Sequence, residues 1–506
     1  MPHVKVLAQW LYKEFGVASV WHTGRDAWFI ILARTCRMFA YGANSLMLAL
    51  FFSALKFTDF QIGLFMALTL LGDVLLSLYL SLVADRLGRR KILFYGAVLM
   101  VISGAIFAYF ENFWILLVAA VVGVISISSD SGPFRSVEEA ILSGITKPET
   151  RSDVLSWYVT ISSLGSAAGT ELSGRAVDFL QSRPGWTIVD AYHAIFVLYI
   201  IMGAANIAFA FFMSSNCELI SAANPEPIRT EAMDHLLRDR ESSDHEDNTD
   251  TLQNHQNETK SSSSSKIFAF TQISLATRRT MYKLWALLVA DSTADGMVSY
   301  SLTNYYLDRK FSLSGSTLGD ITSISYLLAS LSTIFAGPLA KRLGLINTMV
   351  FTHIPSSTAV LFFPAPRSLV LTIILFFIRT GLNNMDQAPR TAFIAAVVRP
   401  DERTAIMGIT SMLRTLASVI GPFITGILAG TDRFWIAFVG AGALRIAYDL
   451  GLWALFVGID VSAIEEARKR ETGGSRNGNG NGYALVSDEE AHIEMEERSS
   501  AGVVAP

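Results

Sequence analysis

Long apolar stretches alternate with short polar ones along most of the chain. A helix that crosses a bilayer needs about 20 mostly apolar residues, each adding about 1.5 Å. The alternation predicts twelve such helices, numbered here as spans 1 to 12: 27–53, 61–83, 92–110, 114–134, 154–177, 191–213, 282–305, 317–340, 345–363, 368–394, 404–429 and 434–458. We therefore predict an all-α protein that spans the membrane many times.

Two polar regions lie outside the spans. Residues 214–277 are polar and acidic and include the serine run Ser261–Ser265, and the tail beyond about residue 464 is similar. Segments of this composition cannot bury a core and are expected to be disordered. We predict an N-terminal segment (1–26), a six-helix bundle (27–213), a linker (214–277), a second six-helix bundle (278–458) and a tail (459–506).

Basic residues in the short loops predict the orientation, because Lys and Arg favour the cytoplasmic side. The loops after spans 2, 4, 8 and 10 are the richer ones and hold Arg86, Arg89, Arg90, Lys91, Lys147, Arg151, Lys341, Arg342, Arg399 and Arg403. Both termini and the linker are therefore predicted to be cytosolic. The first span is too long for a signal-peptide core. The plasma membrane is preferred over a vacuolar or other internal membrane.

Composition narrows the class of function. The chain is 51% hydrophobic and only 17% charged, where a soluble protein carries about a quarter of charged residues. A net charge of −4 gives no basic surface for nucleic acid, and the two cysteines have no metal-ligand spacing. No phosphate-binding loop and no nucleophile–base pair is visible. We predict no enzyme activity, no cofactor and no metal site.

The two halves of the chain repeat each other at offsets of about 252 to 256 residues. The repeat covers polar, glycine and proline positions in several spans and loops. The matching pairs are Lys56-Phe57 with Lys310-Phe311, Ala40–Gly42 with Ala294–Gly296, Asp130–Pro133 with Asp386–Pro389, Lys147–Arg151 with Arg399–Arg403, and Gly165/Gly169 with Ala417/Gly421. Matches in this order indicate two homologous six-helix halves.

The loop after span 2 carries the most specific motif, D-R-L-G-R-R-K at Asp85 to Lys91. With twelve spans and a central linker, it resembles the major facilitator superfamily, in particular its proton-coupled exporters. The resemblance implies two six-helix bundles related by a pseudo-two-fold axis and alternating access. We expect a monomer. Ser81 replaces the first glycine of the motif, and Lys341 replaces its aspartate in the second half.

In that family the motif is a latch that stabilises the outward-open state. The resemblance assigns this gating role to Asp85, Arg86, Gly88, Arg89 and Arg90. Asp85 is expected to face the positive N-terminal end of span 11. Arg89 is expected to pair with Glu138 or Glu139. The alternative is that these basic residues only set the topology.

Polar residues form stripes on spans 1, 4, 7 and 10, the spans that line the central cavity in the resembled family. Ionisable groups inside a membrane usually face the bundle interior. The predicted solute and proton pathway consists of Arg37, Tyr41, Asn44, Asp130, Asp291, Asp295, Arg379, Asn383, Asp386 and Arg390. Arg37 and Asp291 occupy equivalent positions, so we expect them to meet across the axis, directly or through solute. A static structural ion pair is the alternative.

A glycine pattern on span 5, Gly165-x-x-x-Gly169, is similar to one found in proton-coupled exporters. Close helix packing by small residues explains it equally well.

These patterns predict a secondary active transporter that moves a small solute by alternating access, with proton-coupled export preferred. Asp291 and Asp295 are the preferred proton carriers. Charges of both signs favour an ionic or zwitterionic solute over a sugar. The alternatives are a proton-coupled uptake symporter and a transporter-fold sensor that moves no solute.

Overall fold

A computed structural model describes residues 17–123, 134–147, 150–218, 275–398 and 402–457, and within these ranges it leaves some side chains undescribed, among them those of 81–86. The described chain is helical. Its helices are α1 (Val17–Thr23), α2 (Arg25–Ala54), α3 (Asp59–Leu87), α4 (Arg89–Tyr109), α5 (Phe113–Gly123), α6 (Arg135–Ile145), α7 (Arg151–Gln181), α8 (Ile188–Phe212), α9 (Leu275–Met297), α10 (Tyr300–Phe311), α11 (Gly315–Leu343), α12 (Leu345–Phe362), α13 (Leu369–Asn383), α14 (Gln387–Val397), α15 (Arg403–Gly430) and α16 (Phe434–Phe456).

Where the structure describes a predicted span, that span coincides with one helix or with two consecutive ones; residues 124–133 of span 4 lie outside the described part. Within the described residues, seven helical stretches are long and apolar enough to cross a membrane, with α13, the following 3-10 turn and α14 counted as one stretch. The more polar spans are 1, 5, 7 and 8, which correspond to α2, α7, α9 with α10, and α11. Helices with many polar residues cannot face lipid on all sides, so their polar faces belong in the interior of the bundle.

The helix packing repeats between the halves. In the first half α2 packs on α7, and α4 packs on α8; in the second half α9 packs on α15, and α12 packs on α16. Between the halves, α3 packs on α15 and α7 packs on α11. Every pair has its equivalent under exchange of the two halves, which is the arrangement that a pseudo-two-fold axis produces.

Glycines at repeated positions explain how close these helices come. A Cβ on Gly42 would lie 2.1 Å from the carbonyl oxygen of Ser166, and a Cβ on Gly296 would lie 2.1 Å from that of Ser418. On the facing helix, a Cβ on Gly169 would lie 2.0 Å from the carbonyl oxygen of Phe39. The span 5 glycine pattern therefore has a packing role.

Two spans are interrupted where continuous helices were predicted. Span 7 divides into α9 and α10 at residues 298 and 299, and span 10 contains a 3-10 turn, Asn384–Asp386, between α13 and α14. In span 7 the freed carbonyl groups find side-chain donors: Thr425 Oγ1 donates to Met297 O at 2.8 Å, and Thr303 Oγ1 donates to Val298 O at 3.0 Å. A break at this depth is tolerated because its polar groups are satisfied inside the protein.

The two halves meet at one end of the bundle, which we call the outer end. It carries residues 55–58, 182–187, 312–314 and 431–433, the end predicted to face away from the cytoplasm. Asp178 of α7 accepts hydrogen bonds from the backbone N–H groups of Gly315 (2.9 Å) and Ser316 (2.8 Å) at the start of α11. Asp59 of α3 pairs with Arg309 at 2.8 Å. These contacts close the outer end.

Arg309 keeps its charge at the outer end. Burial by itself would lower the pKa of Arg309, but the hydrogen bond to Asp59 and the nearby carboxylates raise it above its ordinary value. A second carboxylate, that of Asp432, lies 2.9 Å from its guanidinium. The cation is thus present throughout the physiological pH range, so its protonation does not gate this contact.

Candidate functional site

Seven ionisable side chains meet inside the second half, and we call them the charge cluster. They come from α9, α12, the 3-10 turn with α14, and α16. The members are Asp291, Asp295, His353, Asp386, Arg390, Arg445 and Asp449. Buried charges of this kind need partners close by.

Arg445 of α16 is the centre of the charge cluster. Its side chain is fully buried, and its Nη1 lies 2.9 Å from Asp295 Oδ1. Its Nη2 donates to His353 Nε2 at 2.6 Å and to the side-chain oxygen of Asn383. One guanidinium therefore joins α9, α12 and α13, using the planar fork that distinguishes Arg from Lys.

His353 of α12 has a defined tautomer in this arrangement. Because Arg445 can only donate, His353 Nε2 is an acceptor and the ring proton lies on Nδ1. Nδ1 donates to Asp449 Oδ1 at 2.7 Å, and Ser357 Oγ donates to the other oxygen of that carboxylate at 2.9 Å. With these hydrogen bonds, the imidazole of His353 is neutral in the arrangement described here.

Asp291 and Arg390 occupy the opposite side of the charge cluster. Arg390 pairs with Asp386 at 2.9 Å, one turn away on the same chain segment, and it lies 3.6 Å from Asp291 Oδ2. The other oxygen, Asp291 Oδ1, lies 3.7 Å from His353 Nε2 and is buried without a hydrogen bond among the described residues. This carboxylate is therefore positioned to accept a hydrogen bond from Nε2 of His353 when that nitrogen is protonated.

Exposure falls steeply through the charge cluster. The Asp295 side chain is 35% exposed, whereas those of Asp291, His353 and Arg445 are 2%, 3% and 0% exposed. Asp295 therefore lies at the mouth of the cluster, where water or solute reaches it, and the other groups lie behind it.

The predicted meeting of Arg37 and Asp291 is not found. Arg37 pairs instead with Glu138 of α6, and its Nη1 donates to Asn206 Oδ1 at 3.1 Å. Tyr158 donates to the second Glu138 oxygen at 2.7 Å. Arg37 and Asp291 thus each find their partners within their own half, because a nearby counter-charge in the same bundle compensates a buried ion better than a distant one.

Replacing Glu138 with glutamine should lower the free energy of unfolding by about 2–3 kcal/mol, because Arg37 then stays buried without a carboxylate. The Tyr158 bond is kept, since an amide oxygen also accepts. Thermal unfolding of the purified protein measures the change. Glu139→Gln is the matched control: its pair with Arg135, 2.7 Å, is half-exposed and contributes below about 1 kcal/mol. Equal effects of the two variants would contradict this interpretation of the pair.

Glu138 and Glu139, the carboxylates that Arg89 was expected to meet, pair with Arg37 and Arg135. Arg89 donates to the backbone oxygen of Ala140, and Arg90 donates to the oxygens of Ala210 and Phe211. The basic residues of the motif thus fasten α4 to α6 and α8.

Other parts of the predicted gate are only partly described. Gly88 has a φ of +95° and precedes α4, a conformation that favours glycine. The side chains of Asp85 and Arg86 and the whole of Asp130 lie outside the described residues. The predicted contact between Asp85 and span 11 remains a prediction.

The remaining pathway residues line the middle of the bundle. Tyr41 lies edge-on to Tyr326 of the other half at 6.2 Å between ring centroids, and Asn44 is buried. Arg379 binds the break in span 7, donating to the backbone oxygen of Val298 and, at 3.0 Å, to Thr303 Oγ1. Asn383 joins the charge cluster through Arg445.

Three members of the site were missed from the sequence: His353, Arg445 and Asp449. A signal was present, since Arg445 and Asp449 are charged residues at i, i+4 spacing within the otherwise apolar span 12. They lie on spans 9 and 12, which are not among the four spans that line the central cavity in the resembled family.

The sequence profile of the Major Facilitator Superfamily matches residues 30–257 and 284–492, which cover most of the chain and both halves. The chain belongs to the Major Facilitator Superfamily. It is therefore an integral membrane transporter of a solute, as the members of this family and the similar solved structures are. The predicted family and all-α fold are confirmed.

Two proteins are similar to this superfamily member in sequence. An uncharacterized membrane protein of Saccharomyces cerevisiae is 30% identical over 458 residues, 90% of this chain and 98% of the relative. Zinc Induced Facilitator 1 of Arabidopsis thaliana is 24% identical over 382 residues, 71% of this chain and 73% of the relative.

Solved structures of superfamily transporters share the fold. The nucleoside transporter NupG has a TM-score of 0.61 at 12% identity, covering 86% of this chain and 99% of its own. The inward-open xylose transporter XylE from E. coli has a TM-score of 0.60 at 13% identity, covering 87% and 99%. At this identity they show the fold alone.

Proposed function

We propose that the protein is a proton-coupled secondary transporter that exports a small ionic or zwitterionic solute by alternating access. The observation that carries the proposal is the charge cluster, in which a neutral imidazole, His353, lies between an arginine and an unsatisfied carboxylate oxygen. Such a group can take up and release a proton with little movement of its neighbours.

The proton step follows from the geometry of His353. When Nε2 gains a proton it can no longer accept from Arg445, and two cations then face each other at 2.6 Å. Asp291 Oδ1, at 3.7 Å, is the acceptor available to the protonated ring. A small ring movement towards Asp291 therefore weakens the Arg445 contact and strengthens the Asp291 contact.

Asp295 connects this step to the solute. It holds Arg445 from the exposed side, so a proton or a cationic solute group on Asp295 also weakens that ion pair. Solute and proton then compete for one network, which is the requirement for antiport. The charged groups around Asp295 are the other members of the charge cluster, Asp291, His353, Asp386, Arg390, Arg445 and Asp449. Arg379 on α13 and Arg414 on α15 also lie nearby.

Counter-movement of solute and protons tests the proposal. Full-length protein is reconstituted into vesicles that contain a pH-sensitive dye, and amino acids, organic acids, amines and sugars are added in turn. We expect at least one charged solute to drive protons in the opposite direction. Asp295→Asn, Asp291→Asn and His353→Gln should each remove the pH dependence and lower coupled flux by about 100-fold, since one acid–base group contributes about this much or more in proton transfer.

Glu111→Gln is the matched control, because this carboxylate is 63% exposed at the outer end and should not affect coupling. Proton movement in the same direction as the solute would favour the uptake symporter. No flux of any solute under any gradient would favour the sensor. Unchanged pH dependence in all three cluster variants would overturn the coupling role of the cluster.

A further inference from the structure

The arginines of the site differ in how their charge is balanced. Arg37 pairs with Glu138, Arg390 with Asp386, and Arg445 with Asp295. Arg379 of α13 forms no ion pair within the described residues; it binds a backbone oxygen and a hydroxyl group. A guanidinium has five N–H donors, and an unpaired cation inside a membrane is unfavourable.

A buried hydroxyl group without a hydrogen bond among the described residues belongs to the same break in span 7. Arg379 bonds to Val298 O, and Ser299 is the next residue in the break between α9 and α10. The Ser299 hydroxyl is buried without a hydrogen bond in the described part of the chain, although the residue occupies the capping position of α10. Arg379, which has no carboxylate partner in the described part of the chain, therefore binds the break whose next residue, Ser299, has a hydroxyl without an acceptor there.

The groups around Arg379 and Ser299 determine the charge of the partner that would bind there. Asp295, four residues before Ser299, is already bound to Arg445. The guanidinium of Arg379 lies 6.0 Å from the ring centroid of Phe376, so its flat face is covered and its edge is left for a hydrogen-bonded partner. A planar oxyanion suits such an edge because two parallel N–H···O bonds can form.

We propose that Arg379 and Ser299 form an anion-binding subsite of the solute pathway, which takes the carboxylate or phosphate group of the transported solute. This inference rests on the proposed function and narrows it: the solute carries an anionic oxygen group, and a zwitterion would place its cationic group towards Asp295. In the state without solute, the carbonyl oxygen of Val298 keeps Arg379 in place.

Equilibrium binding tests the subsite without requiring transport. Full-length protein in detergent is titrated with succinate, glycine, inorganic phosphate, glycerol 3-phosphate and, as neutral probes, glucose and glycerol, and the thermal midpoint is followed. Bound ligand raises the midpoint by mass action. We expect carboxylate or phosphate probes, and not the neutral ones, to stabilise the wild-type protein; the class that acts more strongly identifies the group.

Three variants locate the effect. Arg379→Gln should abolish the anion-dependent shift, and Arg379→Lys should retain part of it. Ser299→Ala removes a hydroxyl that has no bond in the described structure, so folding should be unaffected while anion affinity falls about fivefold. Arg367→Gln, which removes an exposed arginine from the loop before α13, is the matched control and should keep the full shift.

Two results would overturn the subsite: no anion stabilises the wild-type protein, or anions stabilise the wild type, Arg379→Gln and Ser299→Ala equally. Failure of the proposed function looks different. In that case anions still bind at Arg379 but no solute moves protons in vesicles, so the two proposals fail separately.

Discussion

Arg445→Gln is expected to destabilise the protein by about 3–5 kcal/mol and to abolish transport. Arg445 is fully buried and is bound to Asp295, His353 and Asn383, so its loss leaves a carboxylate and an imidazole inside the bundle without their cation. Thermal unfolding of the purified protein measures the first effect, and solute flux in vesicles measures the second. Arg445→Lys keeps the charge but loses the planar fork of N–H donors. Its stability and transport should therefore lie between those of the wild type and of Arg445→Gln.

Arg379→Gln is the internal control for this prediction. It removes an arginine from the same bundle, but one without an ion pair in the described part of the chain, so no carboxylate is orphaned. Its stability loss should be well below that of Arg445→Gln. Combining Arg445→Gln with Asp295→Asn should recover part of the lost stability, because the uncompensated carboxylate is removed as well. Equal losses in both arginine variants would contradict the central role of Arg445.

The fold could be predicted because the membrane simplifies the problem. Apolar length locates the spans, and the repeat pairs them into two halves. The glycines at positions 42 and 296 show why the repeat is preserved, since each packs against the backbone of the equivalent neighbouring helix. The break in span 7 could not be read from apolarity, because it depends on donors such as Thr425 and Arg379 that come from other helices.

The site was predicted only in part, for a related reason. Sequence spacing places residues on a helix face, but it does not say which helix supplies the partner. Symmetry put Arg37 opposite Asp291, yet equivalent positions lie on opposite sides of the axis, and each charge binds a group of its own half: Glu138 for Arg37, and His353 and Arg390 for Asp291. A charged residue within an apolar span, such as Arg445, indicates a functional site whichever helix carries it.

The outer contacts lead to the second large effect. Gly174 of α7 packs directly on the start of α11, and a Cβ there would lie 2.3 Å from the carbonyl oxygen of Gly315. The hydrogen bonds from Gly315 and Ser316 to Asp178 require this close approach. In a protein that works by alternating access, separating these helices should favour the state in which the outer end is open.

Gly174→Val is therefore expected to shift the protein towards an open outer end. Overpacking at such a contact disfavours the closed state by about 1–3 kcal/mol, which changes the ratio of two conformations by about 5- to 150-fold. Spin labels on Gln181→Cys and Arg367→Cys, in a background with Cys36→Ser and Cys217→Ser, measure the separation of the halves, and the longer distances should gain population. Gly408→Val is the matched control, because a Cβ at this helical glycine meets nothing within 4 Å. If both valine variants give the wild-type distance distribution, the α7–α11 contact does not determine the closed state, which would contradict this prediction.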